Sequence, residues 1–114
     1  MTDVVINSDY GGFGLSHEAI VKLFELKNWK LVKRDMVSGV TFYYKDSIED
    51  HNLFYEHDLC RDDPDLVQVV KKLGKRANGQ YASLRIVTIP DEVKWHINEY
   101  DGREHVAEDH RTWY

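Results

Sequence analysis

Between Asn7 and His17 the chain reads NSDYGGFGLSH, placing Gly11, Gly12 and Gly14 between the aromatics Tyr10 and Phe13 and the helix-starting residues Leu15 and Ser16. A strand, a glycine turn and a capped helix together form an arrangement that can aim backbone N–H groups at an anion. The stretch matches neither the dinucleotide fingerprint G-x-G-x-x-G nor the phosphate loop that ends in Gly-Lys-Ser/Thr, so P-loop nucleotide hydrolysis has no support here. The same glycines equally serve a tight turn with positive φ that brings helix and strand close, and spacing alone fits both jobs. At the other end of the chain, Arg103 and Arg111 supply guanidinium groups that can grip a phosphate through two hydrogen bonds, as does Arg61 in the middle. For any single arginine, pairing with the abundant Asp and Glu is the competing reading. Glu104, His105, Glu108 and His110 lie close in sequence, but their spacing fits no standard zinc motif and H-E-x-x-H is absent. No metal site is expected from them. G-x-S-x-G is also missing and Cys60 is the single cysteine, so no nucleophilic motif, intrachain disulfide or cysteine metal cage is legible, and no catalytic residue is assigned.

The elements that must position these groups follow from periodicity. Val4 to Ile6 is a short apolar run that predicts a buried strand. Ser16 is a good N-cap, Leu15 and Ile20 have the spacing of a hydrophobic staple, and Ala19, Ile20, Leu23 and Phe24 share a face, predicting a helix from His17 to about Lys27. Trp29 to Val32 and Val40 to Tyr44 read as a strand hairpin, while residues 45–61 lack a clear period and read as loop with a turn of helix around Leu53 and Phe54. Asp63 and Pro64 start a second helix of about three turns, in which Leu66, Val69, Val70 and Leu73 recur at helical spacing, closing near Gly74 or at Asn78 and Gly79. Tyr81 to Ile89, stopped by Pro90, and Val93 to Tyr100 are further strands. Asp101-Gly102 is the strongest two-residue hairpin signal in the chain. A tight turn there pairs Tyr100 with Arg103, Glu99 with Glu104, Asn98 with His105 and Ile97 with Val106. Alternation then sends Trp95, Ile97 and Val106 to one face and His96, Asn98, Tyr100, Arg103 and His105 to the other.

With 114 residues and no linker or repeat, the economical architecture is a single α+β domain over residues 1–114. It is mostly antiparallel sheet, with about two amphipathic helices and a C-terminal hairpin. A net charge of −5 makes long nucleic acids poor partners, although converging arginines can still hold a small anion. Neither a membrane span nor a signal peptide is visible, so a cytoplasmic location is expected. A domain this small builds a ligand site more easily on a face or between subunits than in a deep cavity.

YGGFGLS, RDDPDLVQVVKKLG and IPDEVKWHINEYDGREHVAEDHRTW, in that order, resemble a family of small phage proteins, the anti-Thoeris signal sponges. The resemblance implies an anti-defence protein of the infected bacterial cytoplasm. Such a protein sequesters cyclic ADP-ribose isomers made by TIR-domain enzymes, without cleaving them. It also implies a homo-oligomer with ligand at subunit interfaces, cyclic oligonucleotides at a separate site, and no cofactor. A cyclic ADP-ribose isomer presents an adenine, ribose hydroxyls and a pyrophosphate. It therefore asks for an aromatic shelf, guanidinium or amide donors and polar side chains. Tyr10, Gly12, Phe13, Gly14, Leu15, Ser16, Asn98, Tyr100, Arg103, Arg111 and Trp113 supply those types within the resembling blocks and form the expected ligand-binding set. Two other functions fit the residues less well: a small nucleotide-processing hydrolase built on the histidine and carboxylate cluster, and a module that binds a host protein.

Overall fold

Apolar residues at helical spacing build the centre of the molecule. In the computed structural model, which describes residues 1–39 and 41–109, the first helix α1 spans His17–Leu26 and the second, α2, spans Pro64–Leu73. Ser16 caps α1 by accepting a hydrogen bond from the Ala19 amide at 3.1 Å, and Asp63 caps α2 by accepting from the Asp65 amide at 3.0 Å. Pro64 occupies the first turn of α2, where its missing N–H costs no intrahelical bond. Ala19, Ile20, Leu23 and Phe24 face Leu66, Val69, Val70 and Leu73, and all of them are buried, as the periodicity predicts. Trp29 and Phe54 meet the Phe24 ring edge-on, with centroids 5.5 and 5.1 Å away.

Six strands form three separate two-stranded antiparallel ladders, giving the expected α+β class. β1 (Thr2–Asn7) pairs with β4 (Leu84–Ile89), so that Val5 lies opposite Ile86 and Asn7 opposite Leu84. β2 (Leu31–Asp35) pairs with β3 (Thr41–Lys45), about two residues further along the chain than the apolar pattern places the first strand. β5 (Trp95–Tyr100) pairs with β6 (Arg103–Glu108) in the register read from the Asp101-Gly102 turn, and the φ values of 49° and 86° there are those of a type I′ turn. Trp95, Ile97 and Val106 are half-buried on one face of this hairpin, while His96, Asn98, Tyr100, Arg103 and His105 are exposed. Residues 45–61 contain two short 3₁₀ turns, Asp50–Asn52 and Glu56–Asp58, and Phe54 is tied to β3 by its amide, which donates to the Tyr43 carbonyl at 2.8 Å.

Candidate functional site

The glycine turn is packed against the tip of the C-terminal hairpin. The Gly11 amide donates to the Asp101 carbonyl at 3.1 Å, and a Cβ on Gly102 would sit 2.2 Å from the Gly12 nitrogen. Gly11, with φ of 126°, presses in turn on Tyr81, whose Cβ would lie 2.7 Å from an added side chain. Gly14 accepts a hydrogen bond from the Gly79 amide at 2.9 Å, in an approach too close for a Cβ on Gly79. The start of α1 is equally engaged. The Leu15 amide donates to the Glu56 carboxylate at 3.0 Å, the Ser16 amide donates to the Ala77 carbonyl at 2.9 Å, and the Ser16 hydroxyl donates to the Arg76 carbonyl at 2.5 Å. Of the two jobs open to these glycines, close backbone approach is the one the structure gives to Gly11, Gly14, Gly79 and Gly102. Phe13 and Leu15 are core residues, each 6% exposed. They face the protein's own interior, and the Leu15, Ser16 and Ala19 amides are taken by acceptors within the chain.

Three of the expected ligand residues do converge. Tyr10, Tyr100 and Arg103 line one groove of about 580 Å³, between the β1–β4 ladder and the C-terminal hairpin. Its apolar wall is Ile6, Val87 and Val106, and its polar wall includes Ser8, Arg85 and His105. Tyr10 and Tyr100 are 56% and 73% exposed, leaving ring surface accessible to a partner. The Arg103 guanidinium lies 5.8 Å from the Tyr10 ring centre, which brings the glycine turn and the hairpin together at the groove. Asn98 stands beside it on the exposed face of the hairpin, with its amide nitrogen 3.4 Å from His105 Nε2. Arg111 and Trp113 lie outside the described residues.

Sequence reasoning missed Arg85, because it sits in an alternating strand pattern with no motif around it. Register is what reveals it: Arg85 lies opposite Ile6, on the strand beside the groove's floor. Tyr81, 66% exposed and packed against Gly11, adds another aromatic surface next to the turn.

Arg61 and Glu104 have a different role from the one their types suggest. Arg61 was open to two readings, an anion contact or an ion pair with a carboxylate, and the structure gives it the second. It forms a two-pronged ion pair with Glu104, at 2.6 and 2.9 Å, and its guanidinium stacks 3.6 Å over the Phe13 ring. Glu104 also accepts from the Asn7 amide at 2.8 Å, and the Arg61 carbonyl accepts from the Val5 amide at 2.8 Å. Between them the two residues satisfy amides along the β1 edge that a neighbouring strand would otherwise fill. Asn7, fully buried, completes the joint: its side-chain amide donates to the carbonyls of Gly102 at 2.7 Å and Asp9 at 2.8 Å, and its oxygen accepts from the Ser83 amide at 2.8 Å.

The remaining histidines and carboxylates are dispersed. Glu99 turns away from Glu104 and accepts from the Gly102 amide at 2.9 Å, while His96 pairs with Asp109. Among the described residues no group of three or more His, Cys, Asp or Glu side chains is arranged to hold a metal ion. No helix among them is long and apolar enough to cross a membrane.

Two other hollows of similar size carry less chemistry. One, of about 500 Å³, lies by Thr2, Val67 and Lys71, where Lys71 is paired with Asp3 at 2.8 Å. The other, of about 470 Å³, lies between α1 and α2, where Lys22 and Arg76 meet Glu25 and Glu18 at 3.5 and 3.4 Å. The Tyr10–Tyr100 groove alone among the three joins exposed aromatic rings to arginines. The chain matches no protein-family model, no curated protein and no solved structure.

Proposed function

We propose that the protein captures a cyclic ADP-ribose type nucleotide in the Tyr10–Tyr100–Arg103 groove and holds it without cleaving it. In an infected bacterium such capture would withdraw a TIR-made signal and block the host's defence. The observation that carries this reading is the meeting of Tyr10, Tyr100 and Arg103, some 90 residues apart in the chain, at one groove of about 580 Å³. Accessible tyrosine ring surface suits a purine, and a guanidinium suits a phosphate. Asn98 offers an amide for ribose, and Ser8, whose hydroxyl donates to the Ser83 carbonyl at 2.9 Å, offers an acceptor oxygen. The groove is open on one side, so a second subunit closing it is part of the proposal, as is the capture of cyclic oligonucleotides at a separate site.

Capture and release test the reading. The protein is incubated with a cyclic ADP-ribose isomer, freed of unbound ligand, and heat-denatured, and the released nucleotide is identified by mass spectrometry. Intact ligand in the supernatant is the expected result. Linear ADP-ribose would make the protein a hydrolase, and an empty supernatant would remove the nucleotide reading altogether. Tyr100→Ala should lower the captured amount at least tenfold while leaving the thermal unfolding midpoint within a degree or two, since the ring is exposed.

A further inference from the structure

We infer that Arg85 and Arg103 act together as a clamp for a diphosphate, bridging the β1–β4 ladder and the C-terminal hairpin. This deepens the nucleotide reading by naming the part of the ligand the groove grips. The argument rests on charge that the molecule leaves unmatched. In a chain of net charge −5 some cations are matched by carboxylates, as Arg61 is by Glu104, Lys27 by Asp63 and Asp65, and Lys71 by Asp3, while others, such as Arg34 and Lys75, form no ion pair among the described residues but stand apart from the groove. Arg85 and Arg103 form no ion pair among the described residues, although both line the groove. The carboxylate that lines it with them, Glu104, has both oxygens taken by the Arg61 guanidinium. Its charge is thereby neutralised locally, and the groove is left with two unpaired guanidinium groups.

An acidic protein that keeps two arginines apart from its own carboxylates in one groove is electrostatically incomplete there. A compact dianion corrects this. Guanidinium groups match phosphate oxygens through paired N–H donors, and they stay charged at every physiological pH. The two arginines approach from different ladders, Arg85 from β4 and Arg103 from the start of β6. Two linked phosphates offer each guanidinium its own pair of oxygens. Binding would then also tie the hairpin to the body through a second contact besides the Arg61–Glu104 pair.

Titration calorimetry with inorganic pyrophosphate and with inorganic phosphate, on the full-length protein, tests the clamp. Pyrophosphate should bind measurably and at least tenfold more tightly than phosphate. It should also compete with the cyclic ADP-ribose isomer. Arg85→Ala and Arg103→Ala should each weaken pyrophosphate binding tenfold or more, with Arg85→Lys recovering only part of the loss, and all should unfold at the wild-type temperature. Pyrophosphate that fails to bind, or an Arg85→Ala affinity within twofold of wild type, overturns the clamp. Should either occur while the cyclic nucleotide is still captured intact, the clamp falls and the sponge stands. Pyrophosphate held by both arginines with no cyclic nucleotide captured leaves the clamp and removes the sponge. If Arg85→Ala lowers the unfolding temperature, the Arg85→Lys variant, which keeps the charge and most of the side-chain bulk, decides by whether its loss of pyrophosphate affinity exceeds twofold.

Discussion

The two helices and the C-terminal hairpin are held to the same strand, β1, by opposite kinds of force. On the helical side, Phe24, Leu23, Ile20, Leu66 and Val69 are at most 1% exposed, and the attachment is apolar area removed from water. On the hairpin side most positions are exposed or half-buried, and the attachment is a handful of directed polar contacts. These are the Arg61–Glu104 pair, the Asn7 side chain on the Gly102 carbonyl, and the Gly11 amide on the Asp101 carbonyl. Area burial tolerates adjustment of shape, whereas hydrogen bonds fix angle and distance. The groove that joins Tyr10 to Tyr100 and Arg103 exists only where the hairpin is held at a set position, so directed contacts lie next to the candidate site and apolar burial lies away from it.

Breaking the apolar side should have the largest effect. Phe24→Ala removes a fully buried ring that touches Trp29 and Phe54, and it is expected to cost about 4 kcal/mol of global stability, read from the denaturant midpoint. Hydrogen exchange should quicken throughout the molecule. A loss confined to α1 would mean that the two helices do not share one core.

Breaking the polar side should cost somewhat less and act locally. Glu104→Gln leaves the largely buried Arg61 guanidinium without a carboxylate, at about 3 kcal/mol. Amides of β5 and β6 should then exchange faster while those of α1 and α2 keep their protection at low denaturant. Nucleotide capture should fall with them. Equal acceleration in the helices would erase the distinction between the two sides.

The smallest effect on the helical side is pH dependence. Burial opposes the charge on Lys27, but hydrogen bonds and attraction from Asp63 and Asp65 outweigh it and raise its pKa above the usual 10.5. Burial also raises the Tyr43 hydroxyl above its usual 10.0, helped by the nearby charges of Glu56 and Asp35. In both cases the folded state holds its proton more tightly, so the stabilisation is complete below the unfolded values and is lost as pH rises through the folded ones. The amino terminus, its pKa raised above the usual 8.0 by Asp91, should begin a slight decline in the denaturation midpoint above about pH 8; the decline should steepen above about pH 10, and Lys27→Gln should flatten part of that steeper limb. A profile level through pH 11 would contradict the Lys27 pairing.

Much of the architecture was legible because local signals agreed. Ser16 with the Ala19–Phe24 face, and Asp63-Pro64 with the Leu66–Leu73 face, start helices wherever they occur. The turn chemistry of Asp101-Gly102 fixed the register of β5 and β6 residue by residue. The candidate site was legible in part. Tyr10, Tyr100 and Arg103 meet as their chemistry suggested, whereas Phe13 and Leu15, equally suggestive by type, went to the core. An aromatic beside glycines looks the same in a sequence whether its ring faces solvent or helix. The strands themselves were placed within a few residues, with β4 starting at Leu84 rather than Tyr81, because Tyr81 is spent against Gly11.

By itself, then, the sequence determined the helices, the final turn and its pairing, and the absence of familiar catalytic motifs, since each depends on neighbours within a few positions. The tertiary structure alone decided that β1 pairs with β4, that Arg61 belongs to Glu104 rather than to a ligand, and that Arg85 joins Arg103 at one groove. Those outcomes depend on which distant groups come within hydrogen-bonding reach. Electrostatic partners carry no mark in the chain until packing brings them together.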